Sequence, residues 1–147
     1  MDLQPLLGYC RSELGPMLRC LRQAVEIESP SNSKAGVDRL ARFFAGQFKR
    51  LGGDARMLGH PTAGASVWAE FWGDKRGHRK SVLLLGHLDT VWDLGTLKTM
   101  PFRIRSGRAY GPGALDMKSG IVCGLWAIRA LRTLGIRPAS PVRFFLN

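Results

Sequence analysis

The stretch SVLLLGHLDT, residues 81–90, determines the fold class of this chain. It begins with an apolar run that lacks polar alternation, a pattern typical of a strand buried on both faces of a largely parallel sheet. Gly86 ends the run, and His87 and Asp89 follow it. In open α/β sheets ligands bind outside the carboxyl ends of the strands, so this stretch predicts a functional site at that edge.

His87 and Asp89 form a pair that suits metal binding. One residue separates them, so both side chains leave the backbone on the same side if the strand continues. A neutral imidazole is a good zinc ligand, and a nearby carboxylate accepts its other N–H, which sets the tautomer and raises the basicity of the ring. The pattern therefore predicts His87 as a metal ligand that Asp89 orients.

A second motif, YGPGALDMK at residues 110–118, adds an oxygen donor. Its glycines and proline indicate a loop, and the apolar positions of residues 121–134 predict a helix directly after it, closed by Gly135. Asp116 is thus expected at a strand-to-helix junction, where the helix N-terminus favours a carboxylate. Since one aspartate can bridge two metal ions about 3.5–4 Å apart, Asp116 is a second predicted metal ligand.

The remaining elements predict an α/β fold. Apolar residues recur at helical spacing in two upstream segments, separated by a break at Ser29 and Pro30 and an N-cap offered by Asn32 and Ser33. The expected helices cover residues 14–25 and 37–51, the expected strands cover residues 55–59, 66–72, 81–85 and 141–146, and a short hairpin covers residues 102–110 with its turn at 106–107. Strands among helices predict a mostly parallel sheet with helices on both faces.

Four segments in order carry a family resemblance: LLLGHLDTVW at 83–92, MPF at 100–102, GRAYGPGALDMKSG at 107–120 and VRFFLN at 142–147. Together they resemble the di-zinc amidohydrolases of the glutamate carboxypeptidase, acetylornithine deacetylase and succinyl-diaminopimelate desuccinylase family, metallopeptidase family twenty. Upstream, EIESPS at residues 26–31 looks like the N-terminal part of the same family. The resemblance implies a zinc exopeptidase-like α/β catalytic domain.

This resemblance assigns roles to three residues. It implies that His87 binds one zinc ion, that Asp116 bridges two, and that Asp89 is the catalytic carboxylate that hydrogen-bonds the zinc-bound histidine. Cobalt or manganese can replace the two zinc ions in such sites. The family also has the peptide bond after the bridging aspartate in the cis form, which here is the bond between Asp116 and Met117.

The rest of the family's site has no counterpart before Asn147. The resemblance implies two adjacent glutamates soon after the last strand, one a general base and one a zinc ligand, followed by a further acidic ligand, a second zinc histidine and an inserted lid domain. We therefore expect residues 1–147 to be the N-terminal portion of a catalytic, metal-binding domain, truncated before its lid or dimerisation domain and its C-terminal part. With at most two protein ligands for either ion, the chain alone is expected to lack appreciable hydrolase activity.

For the complete enzyme the resemblance implies hydrolysis of an amide bond in a small peptide or N-acyl amino acid. Thr90 and the loop at residues 110–113 look more like the glutamate carboxypeptidase branch than the deacylases, which favours release of a C-terminal, glutamate-like amino acid. Full-length relatives are often homodimers. The alternative from a different class is a non-catalytic binding module, or a decayed gene product, that retains the first half of the fold.

The charge balance raises a further alternative. The sequence has 22 Lys and Arg against 11 Asp and Glu, a formal net charge of +11, which can indicate a nucleic-acid or acidic membrane partner. Most basic residues are scattered or spaced like solvated helix faces, and only KRGHRK at residues 75–80 forms a cluster. Because that cluster falls between two predicted strands, a solvated loop is the preferred interpretation, and nucleic-acid binding stays a remote alternative.

Composition is typical of a globular cytoplasmic protein. The 147 residues, 45% of them hydrophobic, suffice for one domain, and no run of about 18 apolar residues predicts a membrane span. The N-terminus has no secretory signal pattern. Three cysteines without a CxxC pair are expected to be reduced, with Cys123 in the core of its helix.

Four other polar residues have structural rather than functional interpretations. His60 and His78 are expected at the surface, and Glu70 on the solvent side of a strand. Lys118 could position a negative group at the start of the helix, but a structural lysine held by a salt bridge is the preferred interpretation.

Overall fold

The structure, a computed structural model, describes residues 3–73 and 80–147. His78 and most of the predicted basic cluster lie outside the described residues. The described helices are α1 (Gln4–Ser12), α2 (Leu14–Glu26), α3 (Lys34–Arg50) and α4 (Ser119–Thr133). The described strands are β1 (Asp54–Leu58), β2 (Ser66–Phe71), β3 (Val82–Gly86), β4 (Arg103–Arg105), β5 (Arg108–Tyr110) and β6 (Val142–Leu146).

The start and the end of helix α3 are determined by its local sequence. The Ser33 side chain accepts a hydrogen bond from the Gly36 backbone N–H at 3.2 Å and caps the helix, as predicted. The apolar stripe of the helix is buried, and Phe48 is fully shielded from solvent. The helix ends at Arg50, close to Gly52, whose φ of 72° is left-handed and favours glycine.

The other helices were predicted unevenly. Helices α1 and α2 both pack against α4. The sequence analysis did not predict α1, which contributes no buried residue.

Cys123 on α4 is exposed, so its predicted place in the core is wrong. On a helix it points about 100° away from its neighbour Val122, which is the one that faces the core. Cys20 is buried instead, and burial raises the pKa of its thiol to about 11.

The main sheet has four strands in the order β1-β2-β6-β3. Strand β3 pairs parallel with β6, with Leu84 opposite Phe144, whereas the β1–β2 and β2–β6 pairs are antiparallel. The α/β class is confirmed, but the described sheet is mixed and not mostly parallel. An apolar run indicates that a strand is buried but does not indicate its direction. The short connection between β1 and β2 makes that pair antiparallel.

The described helices cover one face of this sheet. The Phe144 ring packs against Phe48 of α3, with ring centroids 4.7 Å apart, and a Cβ at Gly124 of α4 would meet the same ring at 2.7 Å. On the opposite face Leu83 and Leu85 are 53% and 66% exposed. Among the described residues the expectation of helices on both faces is therefore wrong, and β3 is not buried on both sides.

Strands β4 and β5 form a separate two-stranded hairpin, as predicted. Its turn residues Ser106 and Gly107 both have positive φ, 50° and 72°, which matches the tight two-residue turn that suits the twist of a hairpin. Within residues 3–73 and 80–147, no helix combines the length and the apolar character needed to cross a bilayer.

Candidate metal centre

The carboxyl end of β3 leads directly into the predicted metal motif. Beyond the strand, the Leu88 N–H donates to the Asn147 carbonyl at 2.6 Å and the Asn147 N–H donates to the Gly86 carbonyl at 3.1 Å. These bonds continue the parallel pairing of β3 with β6 past both strands. The backbone of residues 86–88 is thereby held at the edge of the sheet where the sequence predicted the site.

The structure brings together the three residues that the sequence singled out. The His87 Nδ1 atom lies 3.1 Å from Asp89 Oδ1 and 3.0 Å from the Asp89 carbonyl oxygen. The other ring nitrogen, Nε2, lies 3.1 Å from Oδ1 of Asp116, 29 residues along the chain. One imidazole therefore bridges two carboxylates, one beside it in sequence and one from the loop before α4.

These contacts determine the electrostatics of the imidazole. Partial burial disfavours the charged ring, but hydrogen bonds to Asp116 and Asp89 outweigh that effect and raise the pKa of His87 above its usual value of 6.5. A ring with a carboxylate at each nitrogen favours a proton on both. A metal ion at Nε2 would therefore have to displace a proton.

Asp116 lies in an irregular turn, Ala114–Lys118, directly before α4. Its φ and ψ of −118° and 100° are not helical, and its side chain is 85% exposed. The bond between Asp116 and Met117 is cis, so that prediction is confirmed. The Met117 sulfur accepts a hydrogen bond from the His87 backbone N–H at 3.3 Å, which links the turn to the end of β3.

Gly113 precedes this turn at a position that only glycine fits. Its φ of 69° is left-handed, and a Cβ placed there would lie 2.4 Å from Cγ2 of Thr90. The loop that carries Asp116 therefore approaches the loop that carries Asp89 more closely than a larger residue would allow.

The three predicted site residues line an open cleft of about 340 Å³. Its walls include the exposed apolar side chains of Val91, Trp92 and Leu115. A cleft with apolar walls and a few convergent polar groups is the usual form of a small-molecule site.

The sequence analysis missed a segment that holds the site loops, residues 27–31, which we call the anchoring segment. The Ser31 hydroxyl donates a hydrogen bond to Oδ2 of Asp89. The buried Ser29 hydroxyl donates to the Leu88 carbonyl at 2.8 Å, and the Thr90 N–H donates to the Ser29 carbonyl at 2.8 Å. The sequence marked these residues by a break of helical periodicity and by the resemblance of residues 26–31 to the family's N-terminal part, but it did not predict their hydrogen bonds to the site loops.

Glu28 of the anchoring segment holds a second loop. Its carboxylate accepts hydrogen bonds from the backbone N–H groups of Leu97, at 2.9 Å, and Gly95, at 2.8 Å. These two bonds are the main reason that the pKa of Glu28 lies below its usual value. The carboxylate thus keeps the 3₁₀ turn Thr96–Lys98 beside the anchoring segment.

Lys118 connects the anchoring segment to the turn of Asp116. Its side chain is 1% exposed, and Nζ donates to the Ile27 carbonyl at 2.9 Å. Burial lowers the pKa of this amine to about 8, although the nearby Glu28 acts in the opposite direction. The structural interpretation of Lys118 is confirmed, but its hydrogen-bond partner is a carbonyl and not the expected salt-bridge carboxylate.

The ligand set is incomplete within the described chain. No group of three or more His, Cys, Asp or Glu side chains among residues 3–73 and 80–147 is arranged to hold a metal ion. His87 Nε2 and the Asp116 carboxylate are two donors that converge, while Asp89 is engaged by His87 and Ser31. Catalytic zinc sites use three protein ligands with an open position, so these donors fit part of such a site.

Two of the other polar residues are placed as predicted. His60 is exposed, and its Nδ1 accepts a hydrogen bond from the Ala63 N–H at 2.9 Å within a turn. Glu70 lies on the uncovered face of the sheet and pairs with Nε of Arg143 at 2.5 Å.

Comparisons with known proteins relate this chain to a family of peptidases. Residues 83–147 match the family model described as "Peptidase family M20/M25/M40". The chain is 30% identical to carboxypeptidase G2 of Pseudomonas sp. (strain RS-16) over 143 residues, which make up 97% of this chain and 34% of that protein. It is 40% identical over 58 residues to succinyl-diaminopimelate desuccinylase of Corynebacterium glutamicum, covering 40% of this chain and 15% of that enzyme.

A solved structure supports the fold. Human carnosine dipeptidase 1 superposes with a TM-score of 0.84 at 20% sequence identity, and the match covers 99% of this chain and 34% of that one. This chain thus spans about a third of the length of the relatives to which it is aligned most fully. The resemblance read from the motifs is confirmed, since residues 83–147 match the model of the peptidase family M20/M25/M40.

Proposed function

We propose that this chain supplies one side of a two-metal hydrolase centre, as the N-terminal portion of a catalytic domain. The observation that carries the proposal is the convergence of His87 Nε2 and Asp116 Oδ1, 3.1 Å apart at the wall of an open cleft. The whole protein would hydrolyse an amide bond in a small peptide or N-acyl amino acid, releasing a C-terminal, glutamate-like amino acid.

The donor chemistry suits zinc, with cobalt or manganese as substitutes. His87 would hold one ion through Nε2, and the Asp116 carboxylate has an oxygen for each of two ions. When bound, the metal pair supplies the Lewis acidity that lowers the pKa of a water molecule. The remaining ligands and the general base would come from outside the described residues.

The described residues prepare the imidazole for this role. Once a metal ion displaces the proton from Nε2, Asp89, with its oxygen 3.1 Å from Nδ1, would hold the remaining proton on Nδ1 and leave the Nε2 lone pair to the ion. The Ser31 hydroxyl donates a hydrogen bond to Oδ2 of Asp89, so the carboxylate keeps its orientation while Oδ1 contacts the ring. Asp89 is thus the proposed catalytic carboxylate.

The cleft walls suit a small substrate with an apolar part. Val91 and Leu115 are 92% and 90% exposed, so both side chains are available to contact a ligand beside the metal ligands. Burying them under a substrate would exclude water from the reacting amide and strengthen the local electrostatic interactions.

We further propose that these 147 residues alone have no appreciable turnover, because two donors do not hold a catalytic zinc firmly. A cytoplasmic location belongs to the same proposal, and the free state of the three cysteines supports it. A homodimer of the complete protein is proposed by family resemblance only. The competing function is a non-catalytic binding module built on the same half of the fold.

Titration of the purified chain with Zn²⁺ by calorimetry tests the metal role. We expect weak binding that His87→Ala and Asp116→Asn each reduce by at least about tenfold. His60→Ala is the matched control, since His60 is an exposed histidine away from the cleft, and it should leave the affinity unchanged. Equal affinities for His87→Ala and the wild type would overturn the proposal, and a folded chain that binds no zinc would favour the binding module.

A turnover assay tests the proposed inactivity. The zinc-loaded chain is incubated with N-acyl amino acids and dipeptides, and product release is compared with that of a full-length relative. We expect no release above the rate of the Asp116→Asn variant. Turnover at a rate near that of the relative would show that the 147 residues suffice.

A further inference from the structure

The hairpin of β4 and β5 carries three arginines on one face. Arg103 lies opposite Tyr110 and Arg105 lies opposite Arg108 in the antiparallel register. Cross-strand partners point to the same side, as do residues two apart on a strand, so these four side chains share one surface. We call this surface of Arg103, Arg105, Arg108 and Tyr110 the arginine face.

The arginine face is electrostatically unbalanced. Like charges directly opposite each other destabilise a strand pair, and Arg105 and Arg108 occupy such positions. The ion pairs in the described parts of the chain involve none of the three arginines. All three side chains are exposed. Their guanidinium groups are therefore free to bind an anion, which would also relieve their mutual repulsion.

The arginine face lines a groove that leads to the metal cleft. The groove has a volume of about 970 Å³ and includes all four residues of the face. Gly111, Ala114 and Leu115 line both this groove and the cleft of His87 and Asp116. The groove and the cleft are therefore contiguous, and one extended ligand could occupy both.

We propose that the arginine face is a binding subsite for the carboxylate groups of an acidic substrate whose amide bond lies in the metal cleft. Guanidinium groups bind carboxylates with paired, charge-assisted hydrogen bonds, which give both affinity and orientation. The inference rests on the proposed function and deepens it, since it assigns recognition of the substrate carboxylates to the β4–β5 hairpin. The groove adjoins the cleft of about 340 Å³ that holds the proposed metal ligands, which favours a small carboxylate substrate over a nucleic acid.

Nuclear magnetic resonance titration of the metal-free chain with glutarate, a simple dicarboxylate, tests the subsite. We expect saturable shifts confined to the amides of β4, β5 and residues 111–115. The triple variant Arg103→Gln/Arg105→Gln/Arg108→Gln should weaken binding by at least about tenfold. Glutaramide, which has the same length without charge, should cause no saturable shift.

A second triple variant controls for the high net charge of the chain. Arg11, Arg19 and Arg39 are exposed on the helices, so their replacement by glutamine removes the same charge from elsewhere. We expect this control to bind glutarate within about twofold of the wild type at matched salt. Equal weakening by the two triple variants, or shifts spread over the helices, would overturn the subsite.

Two further measurements separate this inference from the proposed function. The triple variant of Arg103, Arg105 and Arg108 should lose glutarate binding and keep the zinc affinity of the wild type. This result would show that the two sites are distinct. A wild-type chain that binds zinc but not glutarate would overturn the subsite alone, whereas glutarate binding without zinc binding would overturn the proposed function alone. A single-stranded oligonucleotide that shifts the same amides where glutarate does not would replace the carboxylate with a phosphate ligand and overturn the assignment.

Discussion

The Ser31 hydroxyl donates a hydrogen bond to the Asp89 carboxylate, although 58 positions separate the two residues in the chain. Asp89 in turn contacts Nδ1 of His87, whose Nε2 faces Asp116. A serine in the connection between α2 and α3 thereby belongs to the same chain of contacts as the proposed metal ligands. Each of these contacts orients the next side chain, so a substitution at Ser31 should change the affinity of the site for a metal ion.

Ser31→Ala should lower the zinc affinity of the chain by roughly threefold to tenfold. Groups that orient a metal ligand typically change affinity by about 10–100-fold, and Ser31 acts one step farther away, through Asp89. Ser31→Thr retains the hydroxyl and should restore most of the affinity. Calorimetric zinc titration of both variants, with the nitrogen chemical shifts of His87 as a report on its tautomer, checks the result. Unchanged tautomer and affinity in Ser31→Ala would leave the serine with a purely structural role.

Glu28 should make stability fall in acid. Hydrogen bonds from Leu97 and Gly95 lower its folded-state pKa below 4.5, so its contribution is present above that pH and is lost as the pH falls through the folded-state value. Glu28→Gln should therefore flatten the loss of unfolding free energy between about pH 5 and pH 3. Urea unfolding at a series of pH values measures the slope.

Asp38 provides the parallel case for the acid prediction, away from the site. A hydrogen bond from Lys34 and one from the Ala65 N–H lower its pKa, so it contributes to the same slope. Asp38→Asn should remove a further part of the acid dependence, and the two effects should add because the residues share no partner. A wild-type slope that neither variant changes would contradict both assignments.

Two phenylalanine substitutions should report the one-sided sheet. Phe48 is fully buried under the helix-covered face, so Phe48→Ala should cost about 3–5 kcal/mol of unfolding free energy. Phe145 lies half-buried on the opposite face beside Trp68, so Phe145→Ala should cost about 1 kcal/mol or less. Denaturant unfolding of the two variants makes the comparison. Equal losses would mean that the second face is covered in solution.

Gly113→Ala should disturb the site more than its small size suggests. The alanine would have to keep the left-handed φ of residue 113, and its Cβ would lie only 2.4 Å from Cγ2 of Thr90. We expect a loss of more than about 1 kcal/mol in stability and a weaker zinc site. Gly107→Ala has the same positive φ with open space around it, so it isolates the backbone term. Adding Thr90→Ser, which removes the clashing methyl, should recover the difference between the two variants.

The sequence by itself predicted the elements that depend on neighbouring residues. Ser33 caps α3 and residues 106–107 form the turn of the hairpin, both as predicted. These features were predictable because caps and tight turns depend only on the local backbone conformation. The motifs at residues 86–90 and 110–118 also predicted which side chains would meet: the first follows β3 at the edge of the main sheet, and the second lies in the loop between β5 and α4. The family resemblance was read from those same motifs, which lie within the matched residues 83–147.

Only the tertiary structure decided how these elements are assembled. Strand direction, the uncovered face beside Leu85 and the exposure of Cys123 depend on which surfaces meet, and an apolar pattern does not record its partners. The anchoring segment, residues 27–31, has no regular periodicity to detect, because its hydrogen bonds reach residues roughly 60 to 90 positions away. The chemistry of the site was therefore encoded in short motifs, whereas the support that holds His87 and Asp116 in contact was decided by the fold.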